Sequence, residues 1–185
     1  MNKIRCSWCE KDDLYRAYHD NEWGRPVHDE RTHFEFLLLE TMQAGLSWYT
    51  ILAKRENYRV AFAGFDVNQV AQYTAEDIDK LMQNTGIIRN RRKLEAAVNN
   101  AQKFIQIQQE FGSFDKYIWA FTNNQIIDNR PQTIYDNPTT SELSDKVTKD
   151  LKKRGFKFVG SVTIYSHLQA IGVINDHVAD CWTRQ

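Results

Sequence analysis

The feature of this sequence that most restricts its fold is one long amphipathic segment in the middle of the chain. Between residues 91 and 111, Leu94, Val98, Ala101 and Ile105 recur at helical spacing and form one apolar stripe over about five turns. Only eight glycines and three prolines occur among the 185 residues, which disfavours an all-β fold with many turns. We therefore predict a mostly α-helical protein.

Other segments carry the same helical spacing and recognisable helix ends. Thr74 followed by Asp77 resembles a capping box, and the glycines at 155 and 172 are suited to ending a helix. Helices are predicted over residues 33–42, from Thr74, through the 140s as far as Gly155, and from about Ser161 to Ile171, and a long polar loop is predicted over residues 123–138.

The composition restricts the class of protein and its compartment. The length fits one domain, or one domain with a small appendage. Lys plus Arg and Asp plus Glu both number 24, so any affinity for nucleic acid must come from a local basic patch. Three cysteines do not all pair within one chain, and the N-terminus lacks the apolar run of a signal peptide. No segment approaches the roughly 20 apolar residues of a membrane span, so we predict a cytoplasmic protein.

Candidate metal ligands lie at the two ends of the chain. Cys6 and His19 are near the N-terminus, and His177 and Cys181, four positions apart, would share one face of a helix near the C-terminus. Two thiolates and two imidazoles suit a closed, tetrahedral, structural zinc site that would tie the termini together. The spacing alone leaves other interpretations open, because the four residues could be unrelated, Cys9 could replace Cys6, and C-S-W-C could be a redox motif.

Two basic segments are candidate DNA contacts. In R-G-F-K-F-V-G-S-V-T, residues 154–163, glycines would let the backbone approach a ligand, and the amides that open the next helix could hold a phosphate. The surrounding positive charges are Lys152, Lys153, Arg154 and Lys157. An ordinary helical hairpin with a solvated end fits this segment equally well. The cluster R-N-R-R-K at 89–93 could contact phosphates, or could simply begin a helix.

Aromatic residues gather near one acidic residue in the first quarter of the chain. The set comprises Trp8, Tyr15, Tyr18, Trp23 and Trp48, with Glu40 near the end of the apolar run F-E-F-L-L-L-E. Rings that stack and attract positive charge, next to a carboxylate that accepts from N–H groups, suit a flat cationic ligand. Taken singly, aromatic residues in a helical protein more often belong to the core, and their clustering around an acid shifts that balance toward a ligand site.

Five blocks of sequence, read in order, carry a resemblance to a known family. They are A-Y-H-D-N-E-W-G, L-E-T-M-Q-A-G-L-S-W, G-I-I-R-N-R-R-K, K-K-R-G-F-K-F-V-G and N-D-H-V-A-D-C. Together they make the chain resemble the type I 3-methyladenine DNA glycosylases almost from end to end. The resemblance implies a mostly α, helix-hairpin-helix DNA glycosylase bundle, with a zinc-clipped subdomain formed by the N- and C-terminal segments.

The resemblance also implies a division of the chain and a set of site residues. Residues 1–30 and 173–185 would hold zinc and part of the base pocket, and residues 31–172 would form the bundle, with the hairpin at about 141–172. The implied zinc ligands are Cys6, His19, His177 and Cys181; the implied base pocket is Trp8, Tyr15, Tyr18, Trp23 and Trp48, with Glu40 as the catalytic residue; and the expected DNA contacts are Gly45, Leu46, Lys153, Arg154, Gly155, Lys157 and Gly160.

The implied function is repair of alkylated DNA. The enzyme would flip 3-methyladenine out of double-stranded DNA and hydrolyse its glycosidic bond, with one structural zinc per chain. Adenine methylated at N3 is cationic and already weakly bonded, so stacking and recognition by Glu40 would count for more than general-acid help. Leu46 would fill the gap left by the flipped nucleotide. No lysine lies between Ser161 and Ile171, which predicts an enzyme without a lyase step.

Several points stay open in the sequence. Related enzymes place a catalytic Asp after the hairpin, and Asp176 is the residue at about that spacing. A non-catalytic lesion-binding module of the same fold is the main alternative, and it would be expected to lack Glu40 or the pocket aromatics. A zinc enzyme is another alternative, and it requires one of the four candidate ligands to leave an open position. Neither a membrane nor a protein partner is implied.

Overall fold

Ten α-helices carry the fold of residues 3–184, the part of the chain that the computed structural model describes. The helices are α1 (Asp13–Asn21), α2 (Glu30–Gln43), α3 (Trp48–Leu52), α4 (Arg55–Ala61), α5 (Val67–Val70), α6 (Ala75–Gln83), α7 (Arg91–Phe111), α8 (Phe114–Ala120), α9 (Glu142–Lys153) and α10 (Ser161–Ala170). The prediction of a mostly helical protein is confirmed.

Helix α2 lies at the centre of the bundle. Every residue from 33 to 42 is buried, and α2 packs against α3, α7, α8 and α10. A helix surrounded on all sides needs no polar face, which explains the nearly unbroken apolar run after His33. The predicted helix over 33–42 is confirmed and extends three residues further toward the N-terminus. Glu40 is thereby carried into the interior of the protein.

Helix α7 is the 21-residue helix that the apolar stripe predicts. Asn90 caps its first turn, and Gly112 ends it with a φ of +86°. Its buried face includes Leu94, Val98 and Ala101, but Ile105 is only half-buried, and Phe104 and Ile107 fill the core in its place. The stripe therefore turns slightly around the helix as α7 passes from α5 and α6 to α8.

The helix ends follow the local signals closely. Thr74 Oγ1 accepts from the Asp77 amide and the Asp77 carboxylate accepts from the Thr74 amide, so the predicted capping box is present. Gly172 follows α10 with a φ of +72°, and a Cβ there would lie 2.2 Å from the carbonyl carbon of Arg25. Only glycine fits at this close approach, because any side chain would collide with backbone.

The predicted loop over 123–138 contains regular structure, so this prediction is wrong in part. Strand β1 (Ile127–Asp128) pairs in parallel with β2 (Ile174–Asn175), and a single 3₁₀ turn spans Ile134–Asp136. Two-residue strands have too few residues for a period-two pattern, so neither strand could be recognised in the sequence. The pairing brings the 130s segment against the C-terminal segment.

The two ends of the chain lie together. The Trp182 amide donates to the Ile4 carbonyl over 3.0 Å, and the Val27 amide donates to the Ile171 carbonyl over 3.0 Å. The division into residues 1–30 with 173–185, and residues 31–172, stays a prediction. No helix among residues 3–184 is long and apolar enough to cross a membrane.

Candidate active site

A cavity of about 300 Å³ opens between α1, α2, α10 and the 130s segment. Its lining contains all five aromatic residues of the predicted base pocket, together with the predicted catalytic carboxyl group. The lining residues are Trp8, Tyr15, Tyr18, Trp23, Glu40, Gln43, Trp48, Ile134, Asn137, Ser166 and Gln169. Residues that are far apart in the sequence, from Trp8 to Gln169, thus converge on one space large enough for a purine base.

The aromatic rings of the cavity pack edge-on against one another. The Trp8 ring centroid lies 4.8 Å from that of Tyr15 and 5.0 Å from that of Trp23, at interplanar angles of 62° and 80°. Tyr18 and Trp48 lie 5.3 Å apart. Tyr18 and Trp23 are almost fully buried, whereas Trp8, Tyr15 and Trp48 are half-buried. Rings braced in this way form a rigid apolar surface on which a flat ligand could stack.

Glu40 is a buried acid without a partner. Its side chain is 3% exposed, its Oε2 atom is fully buried, and it makes no hydrogen bond within residues 3–184. Burial disfavours the charged form and raises the pKa of Glu40 to about 8. The carboxyl group is therefore mostly protonated in the empty cavity at neutral pH. A cationic ligand would favour the ionised form, so the cavity is suited to taking up positive charge.

The remaining polar residues of the cavity were not singled out in the sequence. Ser166 and Gln169 are three positions apart on α10, and Gln43 is three positions after Glu40 on α2, so each pair shares a helix face. That spacing could have found them once the helices were oriented. Asn137 had no sequence signal, because contacts with the distant C-terminal segment, among them the β1–β2 pairing and the hydrogen bond from the Ala179 amide to the Pro131 carbonyl, place the 130s segment at the cavity.

Asp176, the candidate for a catalytic Asp, does not line the cavity. Its carboxylate is fully buried and accepts hydrogen bonds from Asn129 Nδ2, Tyr165 Oη and Gln169 Nε2 at 2.7, 2.6 and 2.7 Å. Stabilising a sugar cation would require the carboxylate to give up these three donors. The geometry therefore disfavours direct contact between Asp176 and the reacting bond.

Cys6, His19, His177 and Cys181 form one buried cluster. One ligand atom from each residue lies within 4.8 Å of the others, so the cluster could hold a metal ion. The Nδ1 atom of His177 is 3.6 Å from each sulfur and 3.2 Å from Nε2 of His19. His177 and Cys181 lie in a turn, in which the Cys181 amide donates to Val178, and not on the helix that their spacing suggested.

Groups outside the cluster orient its two imidazoles. His19 Nδ1 lies 2.8 Å from Asp20 Oδ1, and His177 Nε2 lies 2.9 Å from the Trp23 carbonyl oxygen. Each outer nitrogen thus faces an oxygen acceptor, and the inner nitrogen of each ring is directed into the cluster. Arg5 clamps Asp20 with three hydrogen bonds of 2.8–3.1 Å. This arrangement is typical of metal-binding histidines.

The three thiols differ in their chemistry. The interaction between the buried Cys6 and Cys181 thiols raises the pKa of Cys6 and lowers the pKa of Cys181. Cys9 is buried outside the cluster, and its burial raises the pKa of that thiol to about 12. Cys9 is therefore excluded as an alternative ligand. A thiol with so high a pKa also fits poorly with a redox C-x-x-C motif.

The metal cluster and the cavity lie next to each other and are built partly from the same segment of the chain. His19 belongs to the cluster, whereas Tyr15 and Tyr18, on the same helix, line the cavity. The Trp23 ring packs 4.6 Å from the His177 ring and also faces the cavity. The density of aromatic and polar residues between 15 and 24 follows from this double role. A metal ion in the cluster would hold in place the segment that carries the stacking surface.

The hairpin between α9 and α10 contains most of the predicted DNA contacts. Gly155 adopts a φ of +90°, and Gly160 precedes α10 with open space around it and no side-chain cap. The amides of the first turn of α10 are therefore free of a side-chain partner and could hold an anion. Lys153 and Lys157 are exposed. These residues fit the predicted role in geometry and charge.

Arg154, unlike the exposed Lys153 and Lys157, already has partners within the protein. Its guanidinium binds Glu110 and Asp150, at 2.6 Å to each carboxylate, and stacks on Phe111 and Tyr117. Contact with a DNA phosphate stays a prediction for Arg154, and it would require the guanidinium to leave both carboxylates.

Two asparagines hold the hairpin backbone on α7. Asn100 Nδ2 donates to the Lys157 carbonyl over 2.9 Å, and Asn100 Oδ1 accepts from the Lys157 amide over 2.8 Å. Asn99 Nδ2 donates to the Gly155 carbonyl over 2.9 Å. The sequence analysis missed this pair, because nothing in the spacing connects residues almost 60 positions apart.

Lys93, from the second basic cluster, is buried and not free for phosphate. Its Nζ donates to the carbonyl oxygens of Met42 and Ala44 over 2.8 and 2.6 Å. It thus satisfies carbonyls at the C-terminus of α2 and holds the start of the loop that contains Gly45 and Leu46. Of the neighbouring cations, Arg91 pairs with Asp79, whereas Arg89 and Arg92 are exposed.

We expect Lys93→Met to lower stability by about 1–3 kcal/mol, because two carbonyl groups at the end of α2 would lose their buried donor. The shifted helix end should also weaken ligand binding in the cavity next to Glu40. Thermal unfolding and a base-binding titration measure the two effects. Lys149→Met, at an exposed position on α9, is the matched control and should change neither.

Gly45 and Leu46 lie between α2 and α3 at the edge of the cavity. Gly45 has a φ of +79°, and the Leu46 side chain is 39% exposed. The two residues share a second, smaller depression with Val162 and Thr163 at the start of α10. Leu46 and the free amides of α10 therefore occur on neighbouring parts of one surface.

Comparison with known proteins gives consistent results. A family model described as methyladenine glycosylase matches residues 8–185. The DNA-3-methyladenine glycosylase 1 of Escherichia coli (strain K12) is 48% identical over 177 residues, covering 96% of this chain and 95% of the relative. A DNA-3-methyladenine glycosylase of Haemophilus influenzae is 46% identical, with 96% of both chains covered.

Solved structures agree with the sequence comparison. A crystal structure of a 3-methyladenine DNA glycosylase I superimposes with a TM-score of 0.94 at 47% identity, covering 97% of this chain and 98% of the other. The structure of the enzyme from Staphylococcus aureus, which concerns its recognition of 3-methyladenine, has a TM-score of 0.94 at 43% identity. The match covers 98% of this chain and 96% of the other.

Proposed function

The chain belongs to the methyladenine glycosylase family, and we propose that it excises 3-methyladenine from alkylated DNA by hydrolysing the N-glycosidic bond. The observation that carries this proposal is Glu40, a buried carboxyl group in a cavity of aromatic rings that makes no hydrogen bond within residues 3–184. Buried polar groups are almost always satisfied, so an unsatisfied one in a cavity points to a ligand that satisfies it.

Recognition of the base follows from the chemistry of the lesion. Methylation at N3 leaves the adenine ring flat and positively charged. Trp8, Tyr15, Tyr18, Trp23 and Trp48 would hold such a ring by stacking, which contributes about 1–3 kcal/mol per base in comparable sites. Glu40, once ionised by the cation, would accept from its N–H edge. An uncharged adenine would leave Glu40 protonated, so its binding would be stabilised less.

The catalytic demand on the protein is small. The cationic base is a good leaving group, since it departs as a neutral molecule when the bond electrons move to it. The enzyme must extrude the nucleotide, hold the base and admit water to the sugar carbon. The engagement of Asp176 with three donors is consistent with a site that lacks the usual catalytic Asp. Helix α10 has no lysine, which supports hydrolysis without a lyase step.

We propose that the metal is one structural zinc ion per chain. Zinc binds nitrogen at about 2.0–2.1 Å and sulfur at about 2.3 Å, so tetrahedral ligands lie roughly 3.3–3.8 Å apart. Four of the six distances between these ligand atoms are 3.2–3.6 Å, which fits this geometry, and all six are within 4.8 Å. All four positions would be filled by protein, which disfavours a zinc enzyme with an open site for water.

We propose that the DNA substrate is double-stranded. Gly155, Gly160 and the first amides of α10 would hold a backbone phosphate, with Lys153 and Lys157 nearby. Leu46 would enter the gap that the flipped nucleotide leaves. Such a substrate, together with the three unpaired cysteines, suits the cytoplasm.

Incubation of the protein with methylated DNA, followed by chromatography of the released bases, tests the proposal. We expect free 3-methyladenine and no strand cleavage. A preparation that binds methylated DNA and releases no base would favour the alternative, a non-catalytic lesion-binding module. The presence of both Glu40 and the five aromatic residues disfavours that alternative.

We expect Asn100→Ala to weaken DNA binding by about 5- to 100-fold, because the hairpin backbone would lose two hydrogen bonds to α7. Affinity for the free base should change little, since Asn100 does not line the cavity. The measurement is a titration of a short duplex. Gln102→Ala, on the same helix but bonded to Ala71, is the control. An equal loss in both variants would contradict the role assigned to Asn100.

A further inference from the structure

A groove of about 490 Å³ lies between the start of α7 and the hairpin that joins α9 to α10. Its lining residues are Arg92, Glu95, Lys157 and Phe158. The two cations are 65 positions apart in the sequence, so only the folded chain brings them to one groove. None of the four residues lines the base cavity, and the groove is therefore a separate site.

One face of α7 carries both a cation of the groove and the support of the hairpin. Arg92, Glu95 and Asn99 follow the i, i+3, i+7 spacing that places side chains on one side of a helix. Asn99 and the adjacent Asn100 hold the hairpin backbone with hydrogen bonds of 2.8–2.9 Å, two of them to Lys157. The position of Lys157 relative to α7 is therefore fixed before any ligand binds.

Both cations of the groove are available to a ligand. Arg92 and Lys157 are exposed, and neither forms an ion pair within residues 3–184. The adjacent Arg91, by contrast, pairs with Asp79 and lies 3.9 Å from Glu95. Two unpaired cations that line one groove repel each other, and an anion bound to both would remove that repulsion.

The groove borders two parts of the surface that are predicted to contact DNA. Lys93, next to Arg92, donates to the last carbonyl groups of α2 over 2.6 and 2.8 Å, so the start of α7 lies against the loop that contains Leu46. Lys157 is three positions before Gly160, where the free amides of α10 begin. A polyanion bound at either of these places would also reach the groove.

We propose that Arg92 and Lys157 bind a backbone phosphate of duplex DNA, at a second site besides the one formed by the first amides of α10. Phosphate contacts fix the register and orientation of a protein on the duplex, and two of them would fix the direction in which the strand crosses the hairpin. The carboxylate of Glu95, in the same groove, weakens this contact by repulsion. The inference rests on the proposed function, since it takes DNA as the partner.

The test measures affinity for a short duplex that contains an abasic-site analogue, at several salt concentrations. Arg92→Gln should weaken binding by about 3- to 10-fold, the range for one exposed charge-assisted contact. The slope of log affinity against log salt should become shallower by about 1, because one phosphate contact is lost. Affinity for free 3-methyladenine should stay at the wild-type value, since Arg92 does not line the cavity.

Arg31→Gln is the matched control. Arg31 is exposed and forms no ion pair within residues 3–184, but it lies in the first turn of α2, about 20 Å along that helix from the loop that contains Leu46. It should keep both the affinity and the salt slope of the wild-type protein. Equal values for the Arg92 and Arg31 variants would overturn the proposal, because the loss would then reflect net charge alone.

Glu95→Gln tests the same groove through a gain. Removal of the carboxylate should strengthen duplex binding by about 2- to 5-fold, because a repulsion of the phosphate is removed. A misfolded variant would not bind more tightly, so a gain is independent of stability. Unchanged affinity in this variant would overturn the placement of a phosphate in the groove. Wild-type protein that binds the duplex and releases no base from methylated DNA would overturn the proposed excision and leave this inference standing.

Discussion

Glu40→Gln should lower the rate of 3-methyladenine excision by about 10- to 150-fold, with the fold intact. The variant keeps the shape of the side chain and loses the ability to become a carboxylate. A hydrogen bond to a charged group contributes about 1.5–3 kcal/mol, and that contribution would be lost for the cationic base. Single-turnover assays on methylated DNA measure the effect. Full activity in this variant would remove Glu40 from the mechanism.

The same substitution should stabilise the protein at neutral pH and above. The pKa of Glu40 is raised from 4.5 to about 8, so the folded state binds a proton that the unfolded state releases in this range. Stability is therefore lost as pH rises from about 4.5 to about 8. Glutamine has no proton to lose, and at about 1.4 kcal/mol per pH unit its advantage is roughly 3 kcal/mol at pH 7. Thermal unfolding of the wild-type protein and the variant at pH 4 and at pH 8 measures whether the variant becomes the more stable of the two as the pH rises.

Glu35→Gln is the control for this prediction, because it is the same change on the same buried helix. Glu35 does not line the cavity and binds Arg55 at 2.6 Å and Arg59 at 2.9 Å. We expect this variant to lose stability and to retain affinity for the base. The Glu40 variant should thus lose activity and gain stability, whereas the Glu35 variant should lose stability and retain its affinity for the base.

Cys6→Ser should cause the largest loss of stability. Structural zinc contributes folding free energy directly, and its loss is comparable in size with the roughly 5–15 kcal/mol that holds a typical domain together. Because His19 and Trp23 connect the cluster to the cavity, base binding should disappear together with the metal. Elemental analysis, thermal unfolding and a base titration measure the three effects. We expect about one zinc ion per wild-type chain.

Cys9→Ser is the matched control for the metal site. Cys9 is as fully buried as Cys6 and lies three positions away, but it is outside the cluster. This variant should keep its metal and its affinity for the base, with only a packing cost. Loss of zinc from Cys9→Ser, or a metal-free wild-type protein that remains fully folded, would contradict the proposed site.

The metal cluster shows how much of a metal site can be predicted from residue types alone. Two cysteines and two histidines are the side chains that zinc prefers, so the candidates could be chosen from the sequence. Their spacing left Cys9 and Cys6 as competing ligands. The structure resolves that choice, since the chain path after β2 brings His177 and Cys181 to Cys6, and Cys9 lies outside the cluster.

The basic residues illustrate the opposite case. In the sequence, Lys93, Arg154 and Lys157 are equivalent positive charges near possible phosphates. In the fold, Lys93 caps α2, Arg154 binds two carboxylates, and Lys157 is exposed. A charge is available to DNA only if no internal partner has taken it, and partners from distant segments have no signature in the local sequence.

The sequence by itself determined the helical class, the long helix α7, the aromatic and acidic components of the cavity and the four metal-ligand candidates. These follow from side-chain chemistry and from helical spacing, which are local properties. Only the tertiary structure decided that Glu40 makes no hydrogen bond within residues 3–184, and that Asp176 lies outside the cavity lining with three donors on its carboxylate. Each of these depends on which groups meet across distant segments, and burial together with hydrogen bonding between those segments sets the outcome.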